Sequence, residues 1–390
     1  MSSRSVAAFA VAHTDISAQP FNNAQRTVRV LVPNNLPGTG LWLHFCSDYA
    51  EKPVWVEDAT VAIADEKGRL MPGTVRPVKV HGDTSFALCP HRAAVSDFVR
   101  LPVQPGQTIA VSLYYPGDDK VTSGNFVSTF AQRSVKGNFT HAAALPKARL
   151  WSDLATTVLP WDLSSAVTTL RAVCVQQPAA WPAPRVVAAF GDSIMQQGAW
   201  VTPFTLRLYE RFPGEVSVCN LGIGGNRLLH DSPAAVRGFY GRAGIERYRR
   251  DLLQIDGLTH VLFALGTNDI GLPGKDGAPE TDLITPEQYA RAVTQIASEL
   301  RARGVKVFAG KMLPRELNHV YTPEREALRA ELNRWLESCP LFDAVLDLGA
   351  PIADESGVGM KKEFALPDGL HPNRAGGKCI ADAIDLELFA

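Results

Sequence analysis

The chain has 390 residues, 46% of them hydrophobic and 20% charged, with 39 Lys and Arg against 40 Asp and Glu for a formal net charge of -1. That length exceeds the usual single domain and suffices for two cores, and the composition is that of an ordinary globular protein rather than a disordered or membrane-embedded one. Opposite charges in balance, with no long run of either sign, exclude the clustered basic surface that a nucleic-acid backbone requires.

The N-terminus carries Arg4 and then the apolar run from Val6 to Ala12. This imitates a secretory signal but is too short for the about 15–30 residues that a working one needs, and no apolar run reaches the roughly 20 residues of a spanning helix. The six cysteines (Cys46, Cys89, Cys174, Cys219, Cys339 and Cys379) lie far apart, with no C-x-x-C and no zinc-like spacing. They read as buried thiols in a reducing compartment. A cytoplasmic protein without a membrane partner is the expectation.

From about residue 20 to 175, short β-branched and aromatic stretches alternate with Pro and Gly turns. The spacing predicts strands at Thr27 to Val32, Leu41 to Phe45, Ala59 to Ile63, Thr74 to Val80 and Thr108 to Tyr114, with turns at Asn34-Asn35 to Gly40, Glu66-Lys67-Gly68, His81-Gly82-Asp83 and Pro105-Gly106. Residues 1–180 are therefore expected to form a β-sandwich accessory domain. Trp42, Trp55, Tyr114 and Tyr115 are its candidates for a sugar-stacking platform, although core packing is the commoner use of such side chains.

Trp181-Pro182-Ala183-Pro184 reads as a stiff linker, since two prolines in four residues prevent both a helix and a central strand. Beyond it, in residues 181–390, strands and helices alternate. Strands are expected at Arg185 to Phe190, Val216 to Asn220, His260 to Leu265, Val305 to Ala309 and Ala344 to Leu348, and helices near Val201 to Phe212, Ile245 to Leu253, Pro286 to Gly304 and Pro323 to Cys339. Thr285 and Gln288 have capping-box spacing, and Asn373 is placed to cap a terminal helix. Five strands alternating with helices make a parallel sheet covered on both faces.

The first of these strands runs straight into Gly191-Asp192-Ser193-Ile194, so Ser193 stands at the carboxyl end of a parallel strand, where open α/β sheets bind ligands. A serine hydroxyl needs a base to become a nucleophile. His371 in Pro367-Asp368-Gly369-Leu370-His371-Pro372-Asn373 supplies one, with Asp368 three residues earlier to orient the imidazole. Acyl transfer also needs donors for the oxyanion. Gly225 in Leu221-Gly222-Ile223-Gly224-Gly225-Asn226-Arg227 offers a backbone amide, Asn268 in Gly266-Thr267-Asn268-Asp269 a side-chain amide, and Ser193 its own N–H. Asp192, Asn226, Arg227 and Asp269 flank these groups as candidate substrate contacts. Arg227 is equally suited to an ion pair at the rim, and Asp269 to holding its loop.

These four blocks, Gly191 to Ile194, Asn220 to Gly225, Gly266 to Asp269 and Asp368 to Pro372, resemble those of the SGNH, or GDSL, hydrolase family, in the family's order across about 200 residues. The resemblance implies a flavodoxin-like three-layer α/β/α domain with Ser193 as nucleophile, His371 as base, Asp368 as its partner, and Ser193, Gly225 and Asn268 in the oxyanion hole. Two departures stand out: Ile194 replaces the usual leucine, and Met195-Gln196-Gln197-Gly198 lacks the acidic or small residues frequent there. The N-terminal domain resembles β-sandwich modules that accompany some bacterial members, which points toward acetylated or other short-chain carbohydrate esters as substrates.

No cofactor is implied. Arg227 occupies the third glycine position of a dinucleotide fingerprint, there is no G-K-[ST] sequence, and no H-E-x-x-H or cysteine cluster marks a metal. Two alternatives share these residues: a carbohydrate-binding protein with an inactive hydrolase domain, and an acyltransferase using the same triad. The sequence does not fix the oligomeric state.

Overall fold

A computed structural model of the protein describes residues 2–19, 22–126, 131–146 and 166–390. They fall into two units, Met1–Val186 with Phe212–Cys219, and Val187–Arg211 with Asn220–Ala390. In the first unit the period-two pattern becomes antiparallel strands. Along Leu41–Cys46, for example, Leu41, Leu43 and Phe45 are buried while Trp42 and His44 are only half-buried.

One sheet runs in the order Ser3–Ala10, Leu170–Pro178, Leu41–Cys46, Ala93–Val95, and a second in the order Ala131–Lys136, Arg26–Pro33, Thr108–Tyr115, Asp58–Ala64, Arg76–Pro77. These antiparallel sheets make the β-sandwich that the sequence leads one to expect.

One local expectation changes, and the apolar N-terminal stretch acquires a place. The apolar stretch after Arg4 belongs to the strand Ser3–Ala10, antiparallel to Leu170–Pro178, with Val6 to Ala10 buried. The strand expected over Thr74 to Val80 contracts to Arg76–Pro77 at a sheet edge, where a proline without an N–H is tolerated. None of the six cysteines forms a disulfide. Among the described residues no helix is long and apolar enough to cross a membrane.

The C-terminal half alternates as its sequence requires: β1 (Arg185–Gly191), α1 (Ser193–Gln196), α2 (Val201–Arg211), β2 (Val216–Asn220), α3 (Gly244–Asp251), β3 (Leu258–Ala264), α4 (Thr267–Gly271), α5 (Pro286–Ala302), β4 (Lys306–Gly310), α6 (Pro323–Ser338), β5 (Ala344–Leu346) and α7 (Arg374–Ala383). The parallel sheet has the strand order β2-β1-β3-β4-β5. From Val186 to Gly191 every residue of β1 is buried, as in a parallel strand covered on both faces. With β2 on one side of β1 and β3 on the other, the strand order reverses at β1, the position at whose carboxyl end open α/β sheets bind ligands.

Helix α5 shows how locally its start is encoded. Gln288 N–H donates to Thr285 Oγ1 (3.3 Å) and Thr285 N–H to Gln288 Oε1 (2.8 Å), with Pro286 in the first turn. Behind that cap, Tyr289, Ala292, Val293, Ile296, Ala297 and Leu300 form the buried stripe. Thr285→Ala is expected to cost about 1 kcal/mol, lowering the thermal midpoint by about 2–4 °C in a circular-dichroism melt. An unchanged midpoint would mean that the apolar stripe alone fixes where α5 begins.

Candidate active site

The site is built on the carboxyl end of β1. A Cβ added to Gly191 would lie 2.8 Å from the Ala264 carbonyl oxygen at the end of β3, so only glycine lets the two strand ends approach this closely. The next residue, Asp192, caps α1: its Oδ1 accepts the Ile194 N–H at 3.0 Å. The strand-to-helix turn therefore falls on Ser193, the first residue of α1.

The Ser193 hydroxyl lies 2.7 Å from His371 Nε2, and His371 Nδ1 lies 2.6 Å from Asp368 Oδ2. An ionised carboxylate only accepts, so Nδ1 carries the imidazole proton and Nε2 is left to accept from the serine. The other Asp368 oxygen accepts the backbone N–H groups of Leu370 (2.9 Å) and His371 (3.0 Å). This tight turn passes through Gly369 at φ 64°, the left-handed region that glycine enters without strain. Beyond Pro372, Asn373 Oδ1 accepts from Ala375 and Gly376 N–H and starts α7, which anchors the far side of the turn.

The second and third blocks are tied to each other. Asn268 Nδ2 donates to the Asn226 carbonyl at 3.0 Å, and its second amide hydrogen remains for another acceptor. Asp269 Oδ2 and Oδ1 accept the Leu228 (2.7 Å) and Leu229 (3.0 Å) N–H groups. Gly224 lies against the serine, where an added Cβ would be 3.9 Å from Ser193 Cβ. Gly225 has φ 71° and abuts Tyr240, whose ring an added Cβ would meet at 2.3 Å.

Ser193, His371 and Asp368 are thus brought into one hydrogen-bonded chain. The four flanking candidates are engaged by the protein itself: Asp192 in the cap and Asp269 in its loop, as above. Arg227 Nη1 donates to Asp282 (2.8 Å), and buried Asn226 donates to the Tyr240 and Arg242 carbonyls (both 2.8 Å) while accepting from Arg247 Nε (2.8 Å). Arg247 is a positioning residue that the sequence conceals. It stands between Glu246 and Arg249-Arg250 on a short helix and looks like one more surface charge, and only Asp251, four residues later, hints otherwise.

The three carboxyls differ in environment. Burial pushes Asp192 and Asp269 up to about 6. Burial also acts upward on Asp368, but the hydrogen bond and charge of His371, joined by the His371 and Leu370 N–H groups, outweigh it and hold the carboxyl down to about 2. Asp368 therefore contributes stability that is present above the ordinary range and lost as pH falls toward 2.

For Asp192 the sign is opposite: the folded state keeps its proton longer than the unfolded chain, so its contribution is full at low pH and lost as pH rises through about 6. Asp192→Asn keeps the acceptor for Ile194 and removes the titration. The difference in melting midpoint between variant and wild type should move in favour of the variant from about pH 5 to about pH 8, and a difference independent of pH would contradict this assignment.

Residues 189–378, which span all four blocks, match the GDSL-like lipase/acylhydrolase family. No curated protein matches the chain. Among solved structures it is similar to a GDSL-like lipase from Bacteroides thetaiotaomicron, at 17% identity over 54% of this chain and 92% of that one, with a TM-score of 0.37. It is also similar to an acetyl xylan esterase from Geobacillus stearothermophilus (16% identity, 53% of this chain and 94% of that one, TM-score 0.41). A carbohydrate acetylesterase family member from Sinorhizobium meliloti gives 18% identity over 51% of this chain and 94% of that one, with a TM-score of 0.36. Residues 189–378 form a domain of the GDSL-like lipase/acylhydrolase family, and the protein is an ester hydrolase.

Proposed function

We propose that this chain hydrolyses short-chain acyl esters, acetyl esters of carbohydrates foremost, through an acyl-enzyme on Ser193. The observation that carries the reading is the unbroken line Asp368 Oδ2, His371 Nδ1, His371 Nε2, Ser193 Oγ, with spacings of 2.6 and 2.7 Å. As Ser193 Oγ bonds to the ester carbonyl carbon, its proton passes to His371 Nε2, and Asp368 stabilises the imidazolium. The oxyanion is received by the Ser193 and Gly225 N–H groups and the second hydrogen of the Asn268 amide. His371 then returns the proton to the departing alcohol oxygen as the C–O bond breaks. Water attacks the acyl-serine with its proton taken by the same nitrogen, and the acid leaves. No step needs a cofactor.

Residues 181–390 are assigned to this chemistry and residues 1–180 to an accessory role. A cavity of about 300 Å³ in the N-terminal unit supports a carbohydrate partner. Its lining includes Trp55, an exposed indole (55%), together with Tyr49, Asp15 and Asp119, a mixture of aromatic surface and acceptors that suits a sugar, whereas Tyr115 is buried with its hydroxyl bonded to Thr168 and Thr169. Trp42 instead packs on Phe98, with ring centroids 5.1 Å apart.

Initial rates on p-nitrophenyl acetate, butyrate and octanoate, beside an acetylated xylo-oligosaccharide, test the proposal. Ser193→Ala should lower kcat/KM by roughly six powers of ten, His371→Ala by about as much, and the double variant by no more than Ser193→Ala alone. Asn268→Ala should retain weak activity, down by about two to three powers of ten. Turnover by Ser193→Ala at the wild-type rate would sink the mechanism, and a preference for octanoate would sink the substrate class.

A further inference from the structure

The turn that carries Asp368 and His371 packs against the loop between β4 and α6. Glu316 N–H donates to the Gly369 carbonyl at 2.9 Å, and a Cβ on Gly369 would lie 2.7 Å from Glu316 Cβ. The residue before it, Arg315, is only 8% exposed. Its backbone N–H donates to the Val358 carbonyl (2.8 Å), its guanidinium carbon lies 4.3 Å from the centre of the Tyr321 ring, and Nη1 fills the space beside Gly271 of α4, where an added Cβ would come within 2.2 Å.

Among the described residues no group accepts a hydrogen bond from this guanidinium, and its Nε is shut off from solvent as well. Asp368 and Asp192 act on it through space without bonding to it. The neighbouring cation, Arg325, is by contrast engaged, donating to the Pro273 carbonyl (2.9 Å) and Glu280 Oε2 (2.6 Å).

A buried cation with unmet donors destabilises a fold. Stacking on Tyr321 uses the flat face of the guanidinium and leaves its Nη donors without an acceptor among the described residues, donors of the kind that pair with the oxygens of a carboxylate or phosphate. We propose that Arg315 is the specificity residue of this esterase and binds an oxyanion group, a carboxylate or a phosphate, on the alcohol portion of the ester.

The alcohol side is assigned because the loop bearing Arg315 is bonded to the turn bearing His371, and His371 Nε2 hands the proton to the departing alcohol oxygen. Gly271 leaves the room for the guanidinium, and any side chain there would displace it. Among sugar esters this selects acylated uronates or sugar phosphates over neutral sugars. The inference rests on the serine-esterase mechanism above.

The test compares three acetyl esters on the full chain: methyl 4-acetoxybenzoate, which is neutral, 4-acetoxybenzoate, and 4-acetoxyphenyl phosphate. Wild type should favour at least one of the charged esters by about tenfold or more in kcat/KM, mainly through KM, and the better of the two identifies carboxylate or phosphate as the natural group. Arg315→Gln should abolish that preference while keeping the neutral ester within about threefold, and Arg315→Lys should restore part of it.

Because Arg315→Gln removes an uncompensated buried charge, it should melt no lower than wild type. Equal rates of wild type on charged and neutral esters, or a parallel loss on all three with a lowered melting midpoint, would overturn the proposal. If no ester is turned over, the esterase mechanism has failed on its own. Calorimetric titration with 4-hydroxybenzoate and inorganic phosphate then decides: binding by wild type that Arg315→Gln loses supports the anion site, and no binding of either refutes it.

Discussion

Arg247 donates Nη2 to the Gly191 carbonyl (2.9 Å), Nη1 to the Leu221 carbonyl (3.1 Å) and to Asp251 Oδ2 (3.0 Å), and Nε to Asn226 Oδ1 (2.8 Å), with its guanidinium carbon 4.0 Å from the centre of the Phe190 ring. A charge taken out of water is tolerated only when its donors are matched, and the guanidinium fixes those donors in one plane. The end of β1 and the loop after β2 are therefore held at one separation. Ser193 follows two residues after Gly191, Gly225 immediately precedes Asn226, and the Asn226 carbonyl receives the Asn268 amide. A single buried cation thus sets the relative position of Ser193 and the loops that bear Gly225 and Asn268.

The carboxyls around it show environment deciding the use of one residue type. Asp192 and Asp269 are buried among backbone N–H groups, and burial pushes both up to about 6. Each works as a fixed acceptor that sets a turn. Asp368 is less buried and has the imidazole as its partner, so it stays ionised.

Two buried arginines give a second contrast. Arg247 has its hydrogen bonds within the fold and acts as a brace. Arg315 has none from its guanidinium among the described residues, yet the chain keeps it buried against Tyr321 and Gly271 beside the Asp368 turn. Stability explains the first and not the second. A polar group buried at a cost to the fold is a mark of function.

Residue type and spacing along the chain settle whatever depends on near neighbours. The apolar β1 run leading into Gly191-Asp192-Ser193, the Thr285 and Gln288 capping box, Asn373 before α7, and Asp368 three residues from His371 are contacts within one turn or strand, so residue type and spacing carry them. Tertiary structure decided the rest. The edge position that shortened the Thr74 to Val80 strand, and the pairing that made Val6 to Ala10 a buried strand, come from partners such as Asp58–Ala64 and Leu170–Pro178 that lie far off or across a turn. Arg247 and Arg315 belong to the same class. A charge reads as surface until the chain closes around it, because burial and hydrogen-bond satisfaction are properties of the packed molecule and leave almost no trace in local sequence.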